Sequence, residues 1–258
     1  MKLSIITVTL NDLAGLQRTL VSLAGQSASQ FEQWVIDGGS TDGTDEWLAR
    51  HQPAWKFHFL SEKDDGVYDA MNKGTAHATG EYVWFLNAGD TCAETTTIEA
   101  ILRQLEEDAA TDVLYGRVWA RSEYGLRSVG EPVTQCDFST RMPLCHQGIV
   151  YRRNLLRGLP YPTEYRIVSD WIVTRTFLER GAVFRFFDRY FAVYDLTGVS
   201  SRNHVNALKE MLRHEKTVWA KFRVLVGQGG HILSLWTAKK TGLYHMYKKL
   251  QHSRPGKA

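Results

Sequence analysis

The sequence predicts an α/β fold built on a doubly wound, mainly parallel sheet. Three observations carry that expectation. Tyr82-Val83-Trp84-Phe85-Leu86 is a continuous apolar run with the length of a strand buried on both faces, and it breaks at once into Asn87-Ala88-Gly89-Asp90. Strand-like runs alternate with amphipathic helical stretches at the spacing of β-α-β units. At 258 residues, 43% apolar and 23% charged, the chain has the make-up of an ordinary globular protein able to bury a substantial core.

Leu3 to Leu10 reads as a buried first strand. Met1 to Val8 is too short an apolar run, and too broken by hydroxyl residues, to read as a signal segment. Asn11 or Asp12 is placed to cap the next helix, whose apolar stripe is Leu13, Leu16, Leu20 and Leu23. Gln33 to Ile36 reads as a second strand ending at Asp37, followed by a polar, glycine-rich turn from Gly38 to Thr44 and a helix holding Trp47 and Leu48. Trp55, Phe57 and Phe59 alternate with Lys56 and His58 in a third strand. A helix is expected from about Val67 to Thr79, with Gly80 suited to a left-handed stop. Beyond the Tyr82 run, Ile98, Ile101, Leu102 and Leu105 mark another amphipathic helix. Val113 to Ala120 and Leu126 to Val129 form a hairpin turning near Gly125, which breaks the alternation. Gly148 to Arg152 is a strand, Ser169-Asp170 opens a helix running to Arg180, and Ala182 to Phe187 is a further strand.

Charge is unevenly spread. From Ser201 onward there are 12 lysines and arginines against 2 acidic residues, whereas the rest of the chain carries 19 against 26. Residues 203–258 are expected to form a basic, amphipathic helical extension that meets an anionic membrane surface, with its aromatic residues interleaved among the lysines; a helix packed on the core with a solvated basic face explains the same pattern. No run approaches the about 20 apolar residues that span a bilayer. Cys92, Cys136 and Cys145 are odd in number and lack C-x-x-C spacing, which points away from a disulfide framework and toward a reducing cytosol.

In open α/β sheets ligands bind beyond the carboxyl ends of the strands, and Asn87 to Asp90 lies at such an end. Asp37 and its following glycines would let backbone N–H groups approach a ligand, with the carboxylate free to accept from a uracil-like base. A plain turn, with Asp42 or Thr44 as helix cap, explains the same residues. Asp65, Asp69 and Asn72 fall at i, i+4 and i+7 on one helical face; Asp65 also suits an N-cap and Asp69 a dipole partner. Asp170, in a first helical turn, is equally open to a dipole role or a chemical one.

Taken together, Glu62, Asp65-Gly66-Val67-Tyr68-Asp69-Ala70-Met71-Asn72-Lys73-Gly74, Gly80-Glu81-Tyr82 and Phe85-Leu86-Asn87-Ala88-Gly89-Asp90 resemble the family 2 glycosyltransferases of GT-A fold, nearest the branch that builds colanic acid and related exopolysaccharides. The likeness covers about Lys2 to Arg202. It implies a catalytic domain at 1–202, with residues 1–91 the nucleotide-binding half and 92–202 the acceptor half. It further implies donor contacts from Thr7, Thr9, Asp37, Asp65, Asp69, Asn72, Asn87 and Ala88, and a divalent cation, Mn²⁺ or Mg²⁺, on Asp90. Asn87 stands where the family more often has aspartate. Asp170 matches the acidic acceptor-side position and would be the general base. His146, Gln147 and Trp171 match acceptor-side positions, and Tyr194 to Ser200 matches a loop closing over the acceptor, with Thr197 in place of a more common glycine.

The function expected is transfer of one sugar, with inversion, from a nucleotide-diphosphate sugar, UDP-linked by preference. The acceptor would be a lipid-linked glycan at the cytoplasmic face of a bacterial inner membrane, and no nucleic-acid partner is expected. The absence of a Q-x-x-R-W motif speaks against a processive synthase. Two alternatives stand beside this reading. One is a non-catalytic nucleotide- or glycan-binding module, which Asn87 favours. The other is a nucleotidyltransferase, disfavoured because Thr9-Leu10-Asn11-Asp12 supplies no Gly-rich, basic phosphate loop and no Walker or G-x-G-x-x-G motif occurs.

Overall fold

The computed structural model describes residues 1–51, 53–132, 138, 142–196 and 203–228. Nine strands form one sheet among them: β1 (Leu3–Thr9), β2 (Phe31–Asp37), β3 (Lys56–Ser61), β4 (Tyr82–Phe85), β5 (Thr91–Cys92), β6 (Val113–Ser122), β7 (Gly125–Val129), β8 (Ile149–Arg152) and β9 (Phe184–Asp195). Their spatial order is β3-β2-β1-β4-β8-β6-β9-β5, with β7 paired to β6. All pairings among β1 to β4 are parallel, as is β6 with β9. β8 runs antiparallel to both β4 and β6, and β6-β7 is the expected hairpin.

Helices cover both faces: α1 (Leu13–Ala24), α2 (Thr44–Leu48), α3 (Val67–His77), α4 (Thr97–Glu107), α5 (Arg153–Gly158), α6 (Ser169–Glu179) and α7 (His204–His214), then α8 over residues 218–228. The alternation of side chains along each strand decides which helix meets which residue. Leu3, Ile5, Tyr82, Trp84 and Leu86 pack with Ile98, Ile101 and Leu105 of α4. Their neighbours Ile6, Val8, Val83 and Phe85 pack on the other face with Tyr68 and Met71 of α3 and Trp171 and Ile172 of α6. α1 and α2 bury Leu16, Leu20 and Leu48 against Val35. The doubly wound expectation is thus met. Asp12 caps α1 by accepting the Gly15 N–H at 2.9 Å.

Two local expectations change. α3 does not end in a left-handed glycine: Ala78 turns extended at φ −54° and ψ 139°. The stop is made by Glu32 of β2, wholly buried, whose carboxylate takes the N–H groups of Thr79 and Gly80 along with Ser4 Oγ (2.6 Å), Thr79 Oγ1 (2.7 Å) and Lys56 Nζ (2.8 Å). Gly80 is needed there for closeness, since a Cβ on it would lie 2.5 Å from Ser4 Oγ. The second change is at the end of β9, which runs through Tyr194 and Asp195, so those residues end a strand where a loop was expected. Residues 197–200 of that loop, and Cys136, lie outside the described residues.

α7 is docked against the segment that leads into α6. Met211 is buried, and Glu210 accepts the N–H groups of Arg166, Ile167 and Val168 at 2.9, 2.9 and 3.2 Å, just ahead of α6. Among the described residues no helix is long and apolar enough to cross a membrane.

Candidate active site

The parallel register gathers the carboxyl ends of β1, β2, β3 and β4 at one edge. Thr9 pairs with Asp37, Asp37 pairs with Ser61, and the Ala88 N–H donates to Val8 O at 3.1 Å. Asp37 is buried, and its carboxylate accepts Ser61 Oγ (2.7 Å), the Ser40 N–H (3.1 Å) and Ser40 Oγ. Asp42 ties the next turn down, accepting Thr44 Oγ1 (2.6 Å) and the Leu13 N–H (2.9 Å), while the N-cap of α2 is Gly43.

Beyond β4 the chain turns tightly through Gly89, at φ +91°. Thr19 of α1 holds this turn: its buried hydroxyl donates to Asp90 O at 2.7 Å and accepts the Gly89 N–H at 3.0 Å. Asp90 is 7% exposed, and its Oδ2 accepts Gln147 Nε2 at 3.1 Å. Burial pushes its carboxyl up to about 7; the Gln147 bond opposes this and the charge of Asp195 adds to it. Gln147 is set in turn by Cys145, whose Sγ donates to Gln147 Oε1 at 3.0 Å. His146, in a single 3-10 turn (His146–Gly148), stacks on Phe85 with ring centroids 5.2 Å apart. Burial lowers its pKa against the pull of Asp170, so the imidazole is neutral.

Several buried polar atoms here have no protein partner: Thr9 Oγ1, Asn87 Oδ1 and both ring nitrogens of His146. Buried polar groups are normally satisfied, so these atoms are spare bonding capacity that a ligand could take up; Trp34 Nε1, His51 Nε2 and Thr111 Oγ1 are unpartnered elsewhere. No group of three or more His, Cys, Asp or Glu that could hold a metal occurs among the described residues. Asp90 offers one carboxylate and Asn87 an unpartnered amide oxygen, donors of the hard kind that Mn²⁺ or Mg²⁺ would accept. These donors do not make a protein-only cage.

Asp170 stands in the first turn of α6, half-buried. Its Oδ1 accepts the Tyr68 hydroxyl at 3.0 Å and the Trp171 N–H at 2.8 Å; neither bond uses Oδ2. Tyr68 also reaches Ile167 O at 2.8 Å, and burial together with the negative charge of Asp170 holds its phenol far above the usual range. α3 is thus bonded directly to the start of α6.

Four of the residues expected at the site make contacts within the protein. Thr7 is enclosed, accepting Gln33 Nε2 at 3.2 Å, and supports the strand beneath the site. Asn72 spends both ends of its amide on Tyr161, donating to its O at 2.8 Å and accepting its N–H at 2.9 Å, so it ties α3 to the stretch after α5. Trp171 is 2% exposed, and its Nε1 donates to Phe138 O at 2.7 Å; it is a core residue. Asp65 is exposed and is not the cap of α3, which is Gly66. Its neighbour Asp64 packs against Gly38, with Oδ2 2.5 Å from where a Cβ there would stand, while its Oδ1 accepts the Gly66 N–H at 2.8 Å. Asp69 reaches back to the Asp65 N–H at 3.1 Å and pairs with Lys73 at 3.3 Å, fixing the entry to α3. Ala88 is half-buried against the α1 cluster. Asp37, Thr9, Asn87, Asp90, His146, Gln147 and Asp170 are brought to one region; Thr19, Asp64 and Tyr68 join them without having been singled out.

The description "Glycosyl transferase family 2" matches residues 4–181. A PGL/p-HBAD biosynthesis glycosyltransferase of Mycobacterium bovis (strain BCG) is 35% identical over 214 residues, covering 81% of this chain and 82% of the relative. An uncharacterized glycosyltransferase of Mycobacterium tuberculosis is 34% identical over 175 residues, covering 65% of each chain. Among solved structures, S. aureus TarS in complex with UDP superposes with a TM-score of 0.67 at 20% identity, covering 92% of this chain and 74% of that one. The mannosyltransferase PcManGT from Pyrobaculum calidifontis, in complex with GDP-Man and Mn²⁺, gives 0.62 at 17% identity, covering 96% and 82%. The fold is of GT-A type, and the chain is a glycosyltransferase belonging to glycosyltransferase family 2.

Proposed function

We propose that the protein moves one hexose, with inversion, from a nucleotide-diphosphate sugar to a lipid-linked glycan acceptor during assembly of a bacterial surface polysaccharide. The observation that carries this reading is the placement of two carboxylates on different elements of one site: Asp90 beyond β4, and Asp170 at the start of α6. An inverting displacement needs leaving-group stabilisation and a base on opposite sides of the sugar, and such a pair supplies both roles.

In this reading Asp37 and Asp64 recognise the base and ribose end of the donor, Thr9 and Asn87 offer their unpartnered oxygens to it, and UDP is the favoured nucleotide. Asp90 would hold Mn²⁺ or Mg²⁺, which supplies positive charge to the departing diphosphate. Asp170 takes the proton of the acceptor hydroxyl as its oxygen bonds to the anomeric carbon; the bond from that carbon to the phosphate oxygen breaks, and the electron pair leaves with the nucleoside diphosphate. His146, neutral and unpartnered, orients acceptor or diphosphate oxygens, and Gln147 sets Asp90. Support for the nucleotide comes from the neighbours' own complexes, which hold UDP, UDP-GlcNAc or GDP-Man. Residues 1–91 act as the nucleotide half and 92–202 as the acceptor half, with 203–258 as a basic extension. A lipid-linked acceptor places the enzyme peripherally at the cytoplasmic face of the membrane.

The test is product analysis with a panel of nucleotide sugars, Mn²⁺ and a lipid-linked acceptor extract. Release of nucleoside diphosphate supports the reading. Release of pyrophosphate would indicate a nucleotidyltransferase, and release of neither, with donor still bound, a binding module.

A further inference from the structure

α8 carries its apolar residues on the outside. Thr217 caps it, its Oγ1 accepting the Ala220 N–H at 3.1 Å, and the helix is docked through Val224, which is wholly buried with the α6 and α7 core. Val218, Trp219, Phe222, Leu225 and Val226 are 46% to 86% exposed. At about 100° per residue these five fall on one continuous arc of about 120°. Trp219 and Phe222 stack on each other within it, centroids 5.6 Å apart. Lys221 borders the arc on one side and Arg223 on the other, both exposed. A helix that only lies on a globular core has the reverse arrangement, with its apolar arc turned inward.

The charged residues of α8, Lys221 and Arg223, have one sign. From Lys216 to the end of the sequence there are 9 lysines and arginines and no aspartate or glutamate. We infer that α8 is an interfacial helix: its Val218–Trp219–Phe222–Leu225–Val226 face enters the headgroup boundary of an anionic phospholipid surface, with Lys221 and Arg223 at the level of the phosphates. Charge complementarity favours lipid over a second copy of this chain, whose corresponding face would be equally basic. The inference deepens the proposed membrane-side acceptor, and rests on that reading only for its purpose. α7, which precedes α8, also braces the backbone just ahead of Asp170 through Glu210. Attachment through α8 therefore brings the acceptor-side helix and a lipid-linked substrate to the same surface.

The experiment is co-sedimentation of the full chain with vesicles of phosphatidylglycerol and phosphatidylcholine, or of phosphatidylcholine alone. The proteins compared are wild type, Trp219→Glu/Phe222→Glu and Lys221→Glu/Arg223→Glu. Wild type is expected to bind the anionic vesicles, with partition falling roughly tenfold or more in each double variant, in added salt and on neutral vesicles. Because both pairs are exposed, near-native circular dichroism and melting are expected in the variants. The inference is overturned if wild type stays in the supernatant, or if Trp219→Glu/Phe222→Glu binds as wild type does, which would place attachment beyond residue 228. It is also overturned if sedimentation velocity shows a dimer that this variant abolishes. Donor-induced thermal shift, read without vesicles, reports on the nucleotide site alone, so failure there and failure of lipid binding are separable.

Discussion

The two ends of the β1–β4 sheet each bury a carboxylate, and they treat it in opposite ways. At the amino end, Glu32 is surrounded by Ser4, Lys56 and the Thr79–Gly80 backbone; burial alone would raise its pKa, but these partners outweigh it and hold the carboxyl at about 2. At the carboxyl end, Asp90 has one side-chain donor, Gln147, and burial wins, pushing it up to about 7. The Glu32 carboxylate itself is saturated by its partners, although Trp34 Nε1 and Thr111 Oγ1 at that end have none; around Asp90 the unpartnered atoms are those of Thr9, Asn87 and His146. A saturated buried charge is part of the architecture, whereas an under-saturated one has bonding capacity left for a ligand. The same sheet thus has a structural end and a working end.

The largest expected effect falls at the working end. Asp170→Asn keeps shape and most hydrogen bonding but removes the proton acceptor, so transfer should drop by about 10²–10⁴-fold. Donor affinity by calorimetry should stay within about twofold, the small change that follows when a group contributes only after the donor is bound. Lost donor binding in a folded variant would move Asp170 to the nucleotide side and blur the division of labour.

A crossed pair tests the comparison itself. Glu32→Ala strips the partners of their buried carboxylate and should destabilise the fold by about 3–5 kcal/mol in denaturant titrations. At permissive temperature its kcat should be near wild type. Asp90→Ala should do the reverse, costing about 10²–10³-fold in transfer with metal-dependent nucleotide binding gone, and no loss of stability in chelator. If Asp90→Ala unfolds the chain as Glu32→Ala does, or if full transfer persists in excess chelator, the contrast fails.

The pH dependence of stability sharpens the contrast, because the two shifts have opposite signs. The lowered pKa of Glu32 contributes stability above its ordinary value of 4.5, lost as pH falls toward about 2. The raised pKa of Asp90 contributes stability below 3.8 that is lost as pH rises through about 7. Each shift corresponds to on the order of 3–4 kcal/mol. In chelator, Glu32→Gln should flatten the acid limb of stability against pH, and Asp90→Asn should remove a decline between pH 4 and 8. Identical curves for Asp90→Asn and wild type would show that its carboxyl is not under-solvated.

Much of the working end was legible because it depends on local order. The apolar run through Phe85 had to be a strand, its polar break had to fall at a carboxyl end, and Asp37 and Asp90 follow from that. The helix bearing Asp170 was equally readable from its spacing. What escaped depends on contacts across long stretches of chain. Glu32 in Phe31-Glu32-Gln33-Trp34 looks like ordinary strand alternation until Thr79 and Gly80, more than forty residues on, are folded against it. Thr19 showed only as a hydroxyl within an apolar helical stripe, and the choice of Asp64 over Asp65 rests on which carboxylate meets Gly38. Nothing in the sequence made β8 run antiparallel between β4 and β6.

The smallest effect is the most diagnostic of how the working end is held together. Tyr68 belongs to α3, whose far end stops at the Glu32 network, while its hydroxyl bonds Asp170 at 3.0 Å. Tyr68→Phe keeps the ring and its packing on Tyr161, 5.4 Å away between centroids, and removes only the donor. A hydrogen bond to a charged group contributes about 1.5–3 kcal/mol, but the Trp171 N–H continues to hold the same oxygen at 2.8 Å. Transfer is therefore expected to fall by about 3–10-fold, less than the roughly 12-fold that 1.5 kcal/mol alone would give, with donor KM unchanged and the fall confined to kcat. A residue that merely packs would cost the same in any background. A double-mutant cycle decides between the two: on Asp170→Asn, adding Tyr68→Phe should cost nothing further in transfer, because the carboxylate it positions is already gone. An equal fall in both backgrounds would make Tyr68 a packing residue and leave Asp170 oriented by its own helical turn alone.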